Sequence, residues 1–493
     1  MPENTDEERL NEEEQQRRAE MEQIRAMGID PFGSRYDRTH YSTQVTDNFA
    51  ELEGQTVRVA GRITAKRDMG KASFLDIHDF KGKMQLYFKI DNIGEQAYKF
   101  LDLVSIGDFI GVEGKVFKTR HGEITINVAE YKYLGKALKP LPEKYHGLQD
   151  KELRYRYRYL DLIANPDVKE VFIKRAAIIS RMRRCLDEGG YLEVETPMLH
   201  KIAGGAAAKP FTTYLNALDM SLFLRISLEL YHKRLMIGGI ERVYEIGKVF
   251  RNEGMDRDHN PEFTLLEAYQ AFGDLQSMME LTENIFVSCA EAVNGTLKCN
   301  FREYEIDLIP PWPRVQLCEL MAKHTGIDLE KSIELEFLIK KAKDLGYITD
   351  DEDTAHITRG QVIDLIFKNA VEPQLIQPVF VIDYPIEVSP LAKRIPGKPG
   401  FVYRFEPFIA GHEMGNAFTE LNDPIDQRER FEAQVKMRCE GDEEAHPMDE
   451  EFVEAMEHGM PPAGGLGIGV DRLVMLLTGQ HSIRDVIFFP LMR

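Results

Sequence analysis

The sequence is poor in the features that place a protein quickly. Five cysteines (Cys185, Cys289, Cys299, Cys318, Cys439) stand among 493 residues with no C-x-x-C pair. That argues against zinc fingers and a disulfide framework, and leaves them as core or surface thiols. No apolar run approaches the length of a membrane span, so no membrane partner is expected. The start, "MPENTDEERLNEEEQQRRAEMEQ", is too charged for a signal peptide and points to a cytoplasmic protein. The glycines of "GGLGIGVDRLVML" run G-x-G-x-G rather than G-x-G-x-x-G and have no acidic partner downstream in a βαβ unit. Gly247-Lys248 is followed by Val249, so the Walker pattern is missing too. Neither a Rossmann nor a P-loop nucleotide site is supported. Positive charge is also short: the net charge of −20 speaks against a polyanion partner if spread evenly. It is not spread evenly. Residues 55–150 hold 16 Lys and Arg against 12 Asp and Glu, or +4, leaving −24 for the remainder. A nucleic acid, if bound, belongs on that first segment.

What is present suggests an α+β chain of two or more domains, since 493 residues exceed one hydrophobic core. Residues 1–50 form an N-terminal helical segment, charge-rich over 3–27 and ending near Gly28. Over 51–136 the period changes to two. "VRVAGRITAK", "SFLDIHD" and "KMQLYFKI" read as strands, "EQAYKFLDLV" as a short helix, and "DFIGVEGKVFK" and "EITINVAEYKYL" as two more strands. That order is expected of an OB-type barrel. The Pro-bearing 137–150 reads as a linker. In 151–493, Phe172, Ala176, Ile179, Met182 and Leu186 recur at helical spacing over 168–188, and Gly189-Gly190 end the helix. "YLEVETPML" is a strand broken by Pro197, residues 222–272 alternate strand and helix, and about 320–370 is a helical insertion.

Three stretches carry chemistry. In "FRNEGMDRDHNPEFTLLEAY" (250–269), Phe263, Leu265, Glu267 and Tyr269 share one face of a strand. Pro261 forces "GMDRDHNP" into a loop, so Arg251, His259 and Phe263 would surround one cavity. Arginine matches phosphate or carboxylate, and a phenylalanine face stacks on a base. A solvated hairpin with surface ion pairs is the other reading. In "YRFEPFIAGHEMGNAFTELN" (403–422), a turn at Ala410-Gly411 would pair Phe408 with Glu413 and set Glu406 diagonal to Glu413. Such carboxylates repel unless a hard cation such as Mg²⁺ or Mn²⁺ joins them; exposed surface glutamates are the alternative. Asn416, Phe418 and Glu420 share the other parity, so one cavity requires a register shift, expected as a bulge at Gly415. "GGLGIGVDR" offers backbone bare enough for a ligand to approach, entering a helix at Asp471-Arg472.

These pieces, in this order, resemble the three signature motifs of class II aminoacyl-tRNA synthetases. Within that class, "KYHGLQD", "RYRYLDLI", "ELYHKRL", "DHNPEFT", "YPIEVSPLAK" and "GNAFTELND" are similar to the bacterial lysyl-tRNA synthetases. The resemblance runs from about residue 20 to the C-terminus. It implies an antiparallel six- or seven-stranded sheet flanked by helices, a homodimer through the first motif, and the partners ATP, L-lysine and tRNA(Lys). It also implies roles. Arg251 would hold the α-phosphate and the substrate carboxylate. Arg472 would lie across the adenine and γ-phosphate side, Phe263 stack on adenine, and Glu253, His259 and Asn260 complete the ATP grip. Glu406 and Glu413 would carry Mg²⁺. Gly205 and Glu229 would meet the α-amino group, Asn416 the carboxylate, and Phe418 the aliphatic stem.

A pocket for aspartate must end in a cation, one for lysine in carboxylate and hydroxyl. Glu267, Tyr269 and Glu420 supply the latter, and no basic residue stands at Glu420 or Tyr269. On the barrel, Phe74 would stack on an anticodon base while Arg62, Arg67, Gln85 and Glu123 bond base edges; Phe74 as barrel core is the competing reading. Rival readings are a sibling aspartyl- or asparaginyl-tRNA synthetase, a ligase that lysylates protein but lacks the barrel, and a nucleic-acid-binding OB protein with an inactive catalytic body. The last predicts a lost arginine or carboxylate, yet Arg251, Glu406, Glu413 and Arg472 all stand.

Overall fold

The computed structural model describes residues 6–142, 148–331, 334–349, 354, 357–439 and 445–492. The middle of the expected linker, with the first half of "KYHGLQD", and parts of the helical insertion lie outside the described residues. The chain divides into two compact units, Met1–Leu148 and Gln149–Arg493.

In the first unit, helix α1 (Asp6–Ala26) precedes five strands, β1 (Thr56–Asp68), β2 (Ala72–His78), β3 (Lys83–Lys89), β4 (Phe109–Lys118) and β5 (Ile124–Gly135). A short helix, α2 (Glu95–Phe100), lies between β3 and β4. The strands close into a barrel in the order β1-β2-β3-β5-β4, which leaves no open edge. Alternation drives Val57, Val59 and Ile63 of β1 inward against Leu75, Leu86, Val112 and Ile126. The intervening side chains are left to solvent or ligand. The fully buried Lys136 ammonium lies 2.6 Å from Glu20 of α1 and 3.2 Å from Asp108, tying the helix to the barrel.

In the second unit, after two short helices (Lys151–Arg156 and Arg158–Ala164), α3 (Pro166–Glu188) buries Val168, Phe172, Ile178, Met182 and Leu186. Ala176 is exposed and Ile179 only half-buried, contrary to the expected stripe. The reason is Arg175, which takes part in the inward-facing turn and reaches Asp471 at 2.6 Å. "YLEVETPML" yields only β6 (Leu192–Glu193) and a second two-residue strand, Leu199–His200. Between them the Thr196 backbone N–H donates to the Glu245 carboxylate at 3.0 Å instead of joining a ladder.

Next come α4 (Glu229–Ile237), β7 (Arg242–Phe250), β8 (Glu262–Ala271), α5 (Leu275–Asn294) and β9 (Arg314–Gln316). The helical insertion holds α6 (Leu317–Thr325), α7 (Leu335–Asp344) and α8 (Arg359–Ala370), whose Met321, Leu338, Ile363 and Phe367 share a core with the sheet residues Val381, Val402 and Phe408. The chain returns through β10 (Val379–Pro385), β11 (Lys398–Ile409), β12 (His412–Glu413), β13 (Gly415–Thr419), β14 (Ala463–Gly469) and α9 (Val470–Thr478). The sheet is wider than the resemblance implies: ten strands, eight of them in the row β9-β10-β11-β13-β14-β8-β7-β6. The six central strands of that row are antiparallel, and the outer pairs β9–β10 and β6–β7 are parallel.

One parity of these strands (Tyr244, Leu266, Ala268, Phe405, Ala417, Leu466, Ile468) packs under α3, α5 and α9. The other parity faces a cleft.

Candidate active site

The cleft encloses about 750 Å³ on the open face of the sheet. Phe263, Leu265, Glu267 and Tyr269 of β8 all line it. So do Gly465, Gly467 and Gly469 of the neighbouring β14, which present only hydrogens there. A Cβ on Gly467 would meet nothing closer than 3.7 Å. Bare backbone therefore floors the cleft at its centre, where a ligand can lie against the strand.

The third wall is the 398–419 hairpin. Ala410 and Gly411 both take positive φ, the turn that suits the twist of a two-residue hairpin, and Phe408 pairs with Glu413. Beyond it the register moves by one, so that Phe405 opposes Ala417 and Arg404 opposes Phe418. The shift falls at Met414-Gly415, where a Cβ on Gly415 would meet the Gly467 carbonyl. It is this slip that turns Glu406, Glu413, Asn416 and Phe418 into one cavity despite their parity.

At one end lie two cations. Arg251 follows β7; its guanidinium stands 5.2 Å from the Phe263 ring centroid, and its backbone N–H donates to Pro261 O, closing the loop. Burial holds its pKa below the usual value, opposed by Glu253, Glu413 and Glu267. Arg472, in the first turn of α9, donates to Glu413 O at 2.6 Å and lies 3.4 Å from His259 Nε2. Its neighbour Asp471 is structural, accepting from Thr264 N at 2.7 Å and from Arg175. Glu253 and His259 are exposed at the cleft mouth. Asn260 is buried, donates to Glu262 O, and leaves its Oδ1 without a donor.

Beside them sit the carboxylates of Glu406 and Glu413. Glu406 is buried between Arg404 and the Tyr384 hydroxyl. Burial lifts its pKa to about 7, with Glu413 and Asp364 adding to the rise against Arg404. Glu372, just beyond α8, is pushed up to about 8 by burial and then by Glu413 and Glu406. Acid groups lifted together in this way mark a place short of positive charge. Among the described residues no three His, Cys, Asp or Glu side chains are grouped to hold a metal ion alone. Two hard-oxygen carboxylates completed by a ligand's phosphate oxygens are what Mg²⁺ takes.

At the far end the cavity narrows onto Glu229, Glu267 and Tyr269, with Phe418 on the wall. Glu267 accepts from Ser227 Oγ, Leu228 N and the Tyr269 hydroxyl at 3.0, 3.0 and 2.9 Å. Gly205 (φ +89°) crosses above, where a Cβ would stand 2.9 Å from Ser227 Oγ. Asn416 spends its Oδ1 on Arg404 Nε at 3.0 Å, so its amide N–H₂ is the end free to donate.

Here two expectations need correction. Glu420 is fully buried and does not open onto the cleft, and a basic residue does reach this end. Lys233 of α4, its side chain wholly buried, sets its ammonium 2.5 Å from both Glu229 Oε1 and Glu420 Oε2. Burial alone would pull that ammonium's pKa down; Glu229 and Glu420 outweigh it and raise it. Glu420 is itself lifted to about 8 by burial, with Glu229 and Glu267 adding and Lys233 opposing. Its Oε1 meets no donor among the described residues. Three carboxyl groups meet one ammonium at this end, and the raised values of Glu229 and Glu420 mark it as a place that a further cation would relieve.

Sequence reasoning missed Lys233 and Arg404. Their partial signals were the i, i+4 spacing of Glu229 and Lys233 on a helix and the shared parity of Arg404 and Glu406 on a strand.

On the barrel unit, pairing of β1, β2 and β3 sets Arg67 opposite Phe74, Phe74 opposite Tyr87, and Asp76 opposite Gln85. The Phe74 and Tyr87 rings stand 4.9 Å apart, and Phe117 of β4 lies 6.1 Å from Tyr87. Phe74 is half-exposed, not barrel core. Gln85 is buried and accepts from Thr125 Oγ1, Arg67 pairs with Asp76, and Glu123 lies 3.6 Å from Lys83. Arg62 is turned elsewhere: it donates to Gly107 O and covers the Phe109 ring at 4.2 Å. The stripe Phe74–Tyr87–Phe117 was legible only in part, because strand pairing brings its members together.

Comparison with known proteins agrees with this anatomy. The family described as tRNA synthetases class II (D, K and N) matches residues 150–493, and an OB-fold nucleic acid binding domain matches residues 57–134. The chain is 55% identical over 487 residues to the lysine–tRNA ligase of Thermoanaerobacter pseudethanolicus, covering 99% of this chain and 97% of that protein. It is 51% identical over 493 residues to that of Bacillus subtilis, covering 99% and 98%, and 54% identical over 484 residues to that of Carboxydothermus hydrogenoformans, covering 98% of each.

Proposed function

The chain belongs to the class II tRNA synthetases of the aspartate, lysine and asparagine group, and from that premise we propose that it is a lysine–tRNA ligase, activating L-lysine with ATP and passing the lysyl group to the 3′ end of tRNA(Lys). The observation that carries the substrate is the polarity of one cleft, with Arg251 and Arg472 at one end and Glu229 and Glu267 at the other, Glu420 being buried behind them. Activation joins the amino acid's carboxylate to the α-phosphorus of ATP and expels pyrophosphate. A carboxylate is already a nucleophile, so the protein's task is to align two anions and neutralise charge on the phosphorus oxygens. Arg251 would meet both anions, and Phe263, whose ring centroid is 5.2 Å from the Arg251 guanidinium, would stack on adenine. Asn260 Oδ1, left without a donor, suits an amino hydrogen of the base. Arg472, braced by Glu413 O and neighbouring His259, would take the outer phosphates, with Glu253 at the mouth.

Glu406 and Glu413 would hold Mg²⁺, which would supply positive charge beside the phosphate oxygens. Arg404 fixes Glu406 on one side and Asn416 on the other, so the cation site and the grip on the substrate carboxylate share one brace. Gly205 and Glu229 would receive the α-ammonium. The ε-ammonium would run along Phe418 toward Glu267, Tyr269 and the carboxylate of Glu420 behind them. An aspartate side chain would meet three carboxylates and one ammonium there, which disfavours the sibling activities. Rejection of neutral isosteres by about 10⁴-fold is reasonable for buried polar groups left unpaired; ornithine, one methylene shorter, should be rejected only about 10- to 200-fold.

On the barrel, Phe74 would stack on an anticodon base and Arg67, Gln85 and Glu123 would read edges, with Tyr87 and Phe117 extending the stacking surface. Arg62 is held by Gly107 and Phe109 and would contribute charge rather than a base contact. A homodimer in the cytoplasm is part of the same reading. It is supported by Ile173, Leu199 and Phe489, which stay 39, 47 and 69% exposed. No helix among the described residues is long and apolar enough to cross a membrane. Pyrophosphate exchange run with each amino acid in turn tests the proposal: exchange with lysine alone supports it, and exchange driven by aspartate or asparagine overturns it.

A further inference from the structure

We propose that Arg302, which does not itself line the cleft, is a positioning residue for ATP: its ion pair with Asp258 pins the 254–261 loop so that His259 stays beside Arg472 at the nucleotide end. This rests on the lysine–tRNA ligase reading above and goes beyond it.

Arg302 sits at the tip of a short hairpin that the site has not so far involved. Strands Lys298–Phe301 and Tyr304–Asp307 pair antiparallel, with Phe301 opposite Tyr304, so Arg302 and Glu303 alone make the turn. Arg302 takes φ +55°, a conformation that two-residue hairpins usually assign to glycine or asparagine. A long side chain held there strains the backbone, and such strain persists where the surroundings over-determine it, most often at a functional site. Two contacts hold it here. The guanidinium lies 5.5 Å from the ring centroid of buried Phe301, and Nη2 donates to Asp258 Oδ1 at 3.0 Å.

Asp258 lines the cleft mouth and is the loop's outward handle. Within the loop, Asp256 Oδ1 accepts from the backbone N–H groups of Asp258 and His259 at 2.7 and 2.8 Å, and the same carboxylate meets His259 Nδ1 at 2.8 Å. Residues 256–259 are thereby one unit, with His259 Nε2 3.4 Å from Arg472. Hydrogen bonds inside a loop fix its shape but not where it sits. Contacts to distant segments do that: Ile483 N donates to Arg257 O at 2.8 Å, and Arg302 donates to Asp258. His412 of β12 stands 3.9 Å from the same Asp258 oxygen, too far for a hydrogen bond. The hairpin turn thus reaches the nucleotide end through one carboxylate.

Arg302→Asn separates positioning from support of the fold, because asparagine tolerates φ above zero and keeps the turn. Its KM for ATP in pyrophosphate exchange should rise about 10- to 100-fold, the scale of a lost hydrogen bond to a charged group. The KM for lysine should stay within about twofold, and the thermal midpoint should stay at or above that of the wild type, since turn strain is relieved. An unchanged KM for ATP overturns the proposal. So do equal losses in both KM values with a lowered midpoint, which make Arg302 a prop for the hairpin alone. Asp258→Asn should reproduce the effect, and the double variant should be no worse than the poorer single one; losses that multiply would mean that Arg302 acts without Asp258 and also overturn it. Trypsin supplies a readout besides activity. Arg257 is exposed in the loop, and cleavage after it should quicken about tenfold in either single variant as the loop is released; an unchanged rate counts against the pin. Should Arg302→Asn fail to fold, Arg302→Gly, which suits the same φ, takes its place. If the wild type shows no lysine-dependent exchange, the ligase reading itself fails, while the cleavage rates still judge the pin.

Discussion

Gly465 gives the sharpest single test of the site's geometry. A Cβ built there would overlap Glu420 Oε1 and stand 2.5 and 2.8 Å from two carbons of the Tyr269 ring, closer than real Cβ contacts allow. Neither neighbour can step aside cheaply. Glu420 is fully buried against Lys233, and the Tyr269 hydroxyl is committed to Glu267 at 2.9 Å. Overpacking of this kind costs about 1–3 kcal/mol, so Gly465→Ala should lower the stability of the second unit by that amount. Displacing Tyr269 would also spoil the end proposed to meet the ε-ammonium, and the KM for lysine should rise about 10- to 100-fold if the same cost falls on binding. The KM for ATP should stay near wild type. Gly467 is the control. Its Cβ would have Asn416 O at 3.7 Å and Glu267 Cγ at 3.8 Å, ordinary contacts, yet it points into the cleft. Gly467→Ala should therefore unfold like wild type and still lose adenylate formation, because the methyl stands in the ligand's path. Denaturant unfolding and pyrophosphate exchange with separate lysine and ATP titrations decide the matter. Wild-type stability together with a wild-type lysine KM for Gly465→Ala would show that Glu420 and Tyr269 are not packed on that strand.

Other outcomes follow from the same geometry. Arg404→Met removes the brace shared by Glu406 and Asn416, so exchange should fall at least about 10²-fold in kcat/KM for lysine, with a higher Mg²⁺ requirement; a loss in only one of these would separate the two roles. Phe74→Ala and Tyr87→Ala should each weaken tRNA charging by about 1–3 kcal/mol while leaving pyrophosphate exchange intact, and equal loss of both activities would contradict a stacking role. Glu406 and Glu372 titrate near 7 and 8 in the folded chain, above their ordinary unfolded value. The folded state therefore binds the extra protons between those limits, and without metal its stability should fall as pH rises from about 5 to 8. A cation displaces those protons, so Mg²⁺ with ATP should raise the melting temperature more at pH 8 than at pH 6; an equal shift at both would remove these carboxylates from the metal site.

The sequence by itself determined whatever depends on near neighbours. Period-two alternation in 57–134 was enough for the barrel, and the parity of Phe263, Glu267 and Tyr269 was enough to put them on one face. The Ala410-Gly411 turn and the slip at Gly415 were legible because hairpin pairing follows from turn length and from counting residues. Only the tertiary structure decided the counter-ions. Nothing around "ELYHKRL" announces that Lys233 reaches Glu420, nor anything near "RITAK" that Arg62 turns away to Gly107 and Phe109. The inward stripe of α3 likewise moved to Ile178 because Arg175 had a partner, Asp471, far along the chain. Backbone periodicity is a local property written into consecutive residues. The partner of a buried charge is chosen by whatever the fold brings within a few ångströms, and that depends on segments hundreds of residues apart being packed together.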